Sequence, residues 1–319
     1  MKNRLICVGM ICVFMLFAWG VVPPTASANS LVSSDQLEFA FQGISIGDSA
    51  TDVTSTLGEP QRTTVSRYGF EWRTYHNNYN DFVMVGIDDQ DKVVGLYSNS
   101  TNWTSKSGIH VGSSQTEVRE AFGTPLTYIF KSGTNYKIDD CTKCDVYQLE
   151  NSYATVFYDQ YQDYQVTSTL LIDYDVEQAF RWYDALNVPN LEESLRVQNF
   201  DLVNAVRVRE GLTPYIWDDK IAGTAQDHSE DMATNNFYSH VNKNGEGVAD
   251  RVKQDGISFK VVGENIAMLP RSAIYVHEGW MNSSGHRSNI LGSYQYIGVG
   301  VAANRGGNLY WTQDFYTSP

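Results

Sequence analysis

The run Trp280-Met281-Asn282-Ser283-Ser284-Gly285-His286-Arg287-Ser288-Asn289-Ile290-Leu291 reads as the end of one helix passing into a second, shorter one. The first extends back to Ser272 and the second covers Gly285 to Ile290. Downstream, Tyr296 to Val301 alternates, with Ile297, Val299 and Val301 on one face and Gly298 and Gly300 on the other. Glycines on one face of a strand mark the close approach of another backbone or helix. Leu309, Trp311, Gln313 and Phe315 share one face of a last strand. Upstream, Leu195 to Arg209 carries Leu202, Val203 and Val206 at helical spacing. Asp218 or Asp219 caps a second helix whose inner face holds Ile221, Ala225, His228, Ser229, Met232 and Ala233. A Gly-rich loop then leads to Gly263-Glu264-Asn265-Ile266-Ala267. Helices around a small antiparallel sheet predict a layered domain of the α+β class over residues 195–319.

Five blocks in this order, Phe237-Tyr238-Ser239-His240, Gly263 to Ala267, Trp280 to Leu291, Ile297-Gly298-Val299-Gly300 and Tyr310-Trp311-Thr312-Gln313-Asp314-Phe315, resemble the CAP superfamily. That superfamily holds cysteine-rich secretory proteins, antigen 5, plant pathogenesis-related proteins and bacterial SCP-like relatives. The resemblance implies an α-β-α sandwich with His240, Glu264 and His286 around one central cleft. Two imidazoles and a carboxylate suit a borderline divalent cation such as zinc, and these three are the candidate metal ligands. Without a metal, a histidine beside a carboxylate is an acid–base pair, which makes the same three the candidate catalytic groups. The second acid that animal and plant members carry is replaced here by Ser283. Glu278 is nearby and is kept as a candidate supporting residue, although five residues on a helix is about 140° of rotation, which turns it elsewhere. Gln313, polar on a buried strand face, is expected to support the cleft histidines. His228 reads as a satisfied core histidine, His277 as a cleft-lining or packing residue, and His76 and His110 as exposed. There is no H-E-x-x-H pair in the sequence.

The first half repeats itself at an offset of 65 residues. Gly43-Ile44-Ser45-Ile46-Gly47-Asp48-Ser49 matches Gly108-Ile109-His110-Val111-Gly112-Ser113-Ser114, and Leu57-Gly58-Glu59-Pro60 matches Phe122-Gly123-Thr124-Pro125. Each unit predicts a short strand ending at a glycine. A helix follows, capped by Ser49 or Ser114 with an acid three residues on, and stops at Gly-x-Pro. Aromatic-rich alternating runs come after each helix, so residues 38–175 predict two tandem units, each a helix on an antiparallel sheet. This half resembles the domain often found ahead of secreted bacterial CAP modules. Val176 to Leu186 is loosely helical, and 176–194 reads as a connector.

Lys2 and Arg4, an apolar run from Leu5 to Val22 and Ala26-Ser27-Ala28 have the layout of a secretory signal peptide over residues 1–28. An uncleaved membrane anchor is the rival reading, since the run is near the minimum length for spanning. Of the four cysteines, Cys7 and Cys12 fall in that segment, leaving Cys141-Thr142-Lys143-Cys144. Acidic flanks and an oxidising compartment favour a disulfide closing a local loop over a redox or zinc site. Formal net charge is −14 over 319 residues, which argues against nucleic acid as a partner. The expectation is an exported protein, free or wall-associated, whose cleft binds a small, lipidic or peptide ligand or a divalent ion. A hydrolase using the same cleft is one alternative. The other is docking of an envelope protein on the repeat domain.

Overall fold

The computed structural model describes residues 37–138, 141, 143–181, 188–270 and 272–319. The signal peptide reading, and the 182–187 part of the predicted helical stretch, lie outside the described residues.

The repeat is visible as two helices, α1 (Ala50–Leu57) and α2 (Gln115–Phe122). Ser49 accepts from Asp52 N while the Asp52 carboxylate accepts from Ser49 N, and Ser114 and Glu117 do the same. Both helices end at glycines with φ near +80°, Gly58 and Gly123, a conformation that side chains disfavour. The short strand predicted before each helix does not form among the described residues. Residues 46 and 47 form a turn, and Ile44 makes only an isolated bridge to Phe41.

The two units do not build two sheets. Strands β1 (Arg62–Val65), β2 (Glu71–Asn77), β3 (Asn80–Ile87) and β4 (Val93–Ser98) come from the first. The second adds β5 (Tyr128–Lys131), β6 (Thr134–Lys137), β7 (Cys144–Leu149), β8 (Ser152–Asp159) and β9 (Gln165–Asp173). The last strands of the units pair antiparallel, Gly95 opposite Ile172 and Ser98 opposite Thr169, giving one seven-stranded sheet β1-β2-β3-β4-β9-β8-β7. β4 is buried along its whole length, and an apolar strand of that kind cannot serve as an edge. β5 and β6 form a separate hairpin, and Cys141 is bridged to Cys144. His76 is half-buried, not exposed: its ring stacks on Tyr79 and its Nδ1 accepts from Tyr79 N.

α3 (Tyr174–Ala179) precedes α4 (Leu191–Arg209), which starts four residues before its predicted beginning. Then follow β10 (Ile216–Trp217), α5 (Asp219–Asn235), α6 (Val248–Gln254), β11 (Val261–Met268), α7 (Ala273–Met281), α8 (Ser284–Ile290), β12 (Tyr296–Ala303) and β13 (Leu309–Thr317). α6 occupies what reads in sequence as a loop. The C-terminal sheet runs β10-β12-β13-β11. α5 lies on its glycine face, where Gly298 and Gly300 face the backbone of Ala222 and Ala225. Ile297, Val299 and Val301 point the other way, into a core with Leu202, Val206 and Val276 of α4 and α7.

That core continues into the N-terminal sheet, taking in Trp72, Met84, Tyr97 and Leu170, so the two halves share apolar packing. The opposite sheet face covers α1, α2 and the aromatic cluster Phe39, Phe41 and Trp103. Polar ties cross the junction: Arg62 to Asp201 at 2.8 Å, Arg209 to the Thr167 carbonyl at 2.7 Å and Arg287 to Asp159 at 2.9 Å.

His277 is buried at this junction, and burial, with Arg209 nearby, pushes its pKa down to about 3. The ring stays neutral in the fold but takes a proton in the unfolded chain below about pH 6.5. Stability present above that pH is therefore lost as pH falls towards 3, by up to about 1.4 kcal/mol per unit. Glu278 beside it is pushed up by burial and works in the opposite sense, taking its proton in the fold first. His277→Gln should therefore shrink the fall in urea midpoint between about pH 7 and pH 4. An unchanged fall would contradict the burial of a neutral ring.

Candidate functional site

Glu264 lies on β11, opposite Asp314 of β13, and its side chain is only 2% exposed. A buried carboxylate needs compensating donors, and Arg251 and His240 supply them. Arg251, from α6, donates through Nη2 to Glu264 Oε2, while its Nη1 donates to the carbonyls of His240 and Glu246. His240, in the loop after α5, donates from Nδ1 to Glu264 Oε1 at 2.7 Å. His228, from α5, has Nε2 3.9 Å from Glu264 Oε2 and donates to the Ser239 carbonyl at 3.0 Å. Burial pushes the His228 pKa down, so this ring stays neutral. Burial first, and Glu264 next to it, push Asp314 well above the usual carboxylate range.

The His240 side chain is 55% exposed although its acid partner is not. With Nδ1 fixed on Glu264, none of the hydrogen bonds among the described residues engages Nε2. His286, at the start of α8, is half-buried; burial and then the nearby His240 lower its pKa. An amide network holds α8 to the sheet: Asn265 donates to the His286 carbonyl at 3.2 Å, and Asn289 donates to Asn265 Oδ1 at 2.8 Å and to the Glu264 carbonyl at 3.1 Å.

The structure thus brings His240 and Glu264 into contact, with His286 alongside. Gln313 does not touch the imidazoles. It accepts from Asn265 and donates to Asn199, both buried, and so reaches His286 only through Asn265 and a backbone carbonyl. Glu278 is outside the cleft. It is buried against the N-terminal sheet, where Tyr97, Ser168 and Thr167 donate to it at 3.1, 2.6 and 3.3 Å. His228 is a core histidine as expected, yet it sits directly behind Glu264, and its Nδ1 is buried without a hydrogen-bond partner.

Arg251 and Asp314 are the site residues that sequence reasoning missed. Alternation along β13 opposes Asp314 to the Gln313 face, and a buried Glu264 demands a cation; both signals are in the sequence, but neither names the partner. As packed, the proposed zinc ligands fit a cation poorly. Both Glu264 oxygens are taken, one by a guanidinium whose charge repels a second cation. Among the described residues no group of three or more His, Cys, Asp or Glu side chains is arranged to hold an ion.

Comparison with known proteins agrees with this architecture. Residues 46–183 match the CAP-associated N-terminal family and residues 200–315 the cysteine-rich secretory protein family. The chain is 28% identical over 314 residues to the "uncharacterized membrane protein YlbC" of Bacillus subtilis (strain 168), covering 92% of this chain and 88% of that protein. It is 39% identical over 116 residues to the uncharacterized protein YkwD of the same organism, covering 36% of this chain and 44% of that one. Its fold superposes on an extracellular SCP-domain protein from Bacillus anthracis str. Ames with TM-score 0.72 at 25% identity, covering 85% of this chain and 93% of the other. A cysteine-rich secretory protein from Staphylococcus aureus subsp. aureus Mu50 gives TM-score 0.66 at 17% identity, covering 85% and 91%. A CAP-associated N-terminal domain followed by a CAP domain accounts for the two halves of the sequence, and the chain belongs to the bacterial branch of the CAP superfamily.

Proposed function

We propose that the protein is exported and binds an organic ligand in the CAP cleft, with His240 as the polar contact and no resident metal. One observation carries this reading: Glu264 is buried and engaged on both oxygens, while the imidazole it orients is more than half exposed. Such a pair offers a directed hydrogen-bonding nitrogen to a peptide or small polar ligand, and Arg251 offsets the negative charge that would attract a cation. The N-terminal sheet packs on α4 and α7, so an envelope protein docking on this half would use its remaining surface. Export rests on the charged, apolar and A-x-A layout of the first 28 residues and on the extracellular relative. The membrane-protein name of the Bacillus subtilis relative keeps anchoring as the other form of the same export.

A second reading has its own support. An imidazole fixed by a carboxylate at 2.7 Å is the arrangement of a general base, which fits a metal-free hydrolase. A panel of peptides and esters offered to wild-type protein and His240→Ala separates the two. Saturable binding without turnover, weakened in the variant, is expected. Turnover abolished by both His240→Ala and Glu264→Gln would replace binding with hydrolysis.

A further inference from the structure

A cavity of about 180 Å³, with none of His240, Glu264 and His286 in its described lining, lies between the β5–β6 hairpin, the β7–β8–β9 end of the sheet, α3 and Tyr275 of α7. It exceeds the roughly 150 Å³ of an engineered apolar cavity that takes up benzene. Its walls divide by chemistry. Val146, Leu170, Ile172 and Ile129 make an apolar body. At one end stands the ammonium of Lys131, a residue only 7% exposed.

Lys131 has three N–H donors. One goes to Glu177, whose other oxygen accepts from Tyr68 at 2.7 Å. Among the described residues no other acceptor meets this ammonium; its remaining neighbours are the rings of Tyr136 and Phe180, each with its centroid 5.6 Å from Nζ. Buried donors left unmet are costly and call for a water or a ligand. Arg67 and Lys137 also line the cavity. Tyr136 is 45% exposed while lining the cavity, which places it at the mouth.

We propose that this junction cavity is a second ligand site, taking a small amphipathic acid: a ring or short branched chain in the apolar body, with its carboxylate on Lys131. The aromatic neighbours of the ammonium favour a ring. The site spans both domains through Tyr275 and is independent of the cleft at His240.

The test uses benzoate and its uncharged counterpart benzyl alcohol, titrated into the ¹⁵N-labelled chain from Asn29 onward. Benzoate should give saturable shifts at Lys131, Tyr136 and Tyr275, with benzyl alcohol about tenfold weaker. Ile129→Trp, which fills the cavity without touching the ion pair, should abolish the shifts with the fold intact, whereas His240→Ala should leave them unchanged. Lys131→Met should weaken benzoate towards the level of the alcohol. No saturable shift at millimolar benzoate, shifts elsewhere in the molecule, equal binding of the alcohol, or retention in Ile129→Trp would each overturn the proposal. Because His240→Ala is silent here, failure of this site and failure of the cleft reading are separable.

Discussion

Gly300→Ala is expected to destabilise the C-terminal domain by more than about 3 kcal/mol, enough to leave much of it unfolded at room temperature. A Cβ at this position would sit 2.2 Å from Ala225 O and 2.4 Å from Gln226 N. These are backbone atoms of α5, so no rotamer change can relieve the clash, and the whole helix would have to lift from β12. Conformation is not the obstacle, since Gly300 is not among the positive-φ glycines. Gly298→Ala should behave alike, with its Cβ 2.2 Å from Ala222 N. At Gly223, on the exposed side of the same helix, an added Cβ would meet nothing within 4 Å, and replacement by alanine should stabilise by up to about 1 kcal/mol. Urea midpoints of the three variants check this. A wild-type midpoint for Gly300→Ala would mean that α5 does not lie on this strand.

The second large effect is expected at Glu264. Glu264→Ala removes the counter-ion of Arg251, itself 8% exposed, and the acceptor that fixes His240. Breaking a buried pair from one side costs about 3–5 kcal/mol, because the surviving charge stays desolvated. Removing both charges in Glu264→Leu/Arg251→Met should cost less than the sum of the single changes. The loss should depend little on salt, unlike that of a surface pair. Additive losses in the double variant, or a loss erased by high salt, would contradict a buried pair.

Much of this was legible in the sequence, for identifiable reasons. The capping boxes at Ser49 and Ser114 are local, so residue type and spacing fix them without knowledge of the rest of the chain. Gly298 and Gly300 announce a close helix because an alternating strand has little other use for two glycines on one face. What failed was non-local. Alternation assigns strands but not their partners, so the β4–β9 pairing that merges two units into one sheet was not readable. Glu264 and His240 meet in a hydrogen bond, yet the cation that neutralises the acid comes from α6, which reads as loop because Gly245 and Gly247 precede it. Glu278, a candidate supporting residue, is instead buried against the N-terminal sheet, and its hydroxyl partners there lie more than a hundred residues away in sequence.

The central claim is that Glu264 is held by Arg251 and His240 and so is closed to a metal. The most direct measurement is the ¹⁵N imidazole spectrum of the chain from Asn29 onward above neutral pH, before and after equimolar zinc. Neutral His240 should carry its proton on Nδ1, lose that preference in Glu264→Gln, and keep its spectrum when zinc is added. Joint displacement of the His240 and His286 signals by zinc, absent in Glu264→Gln, would contradict it.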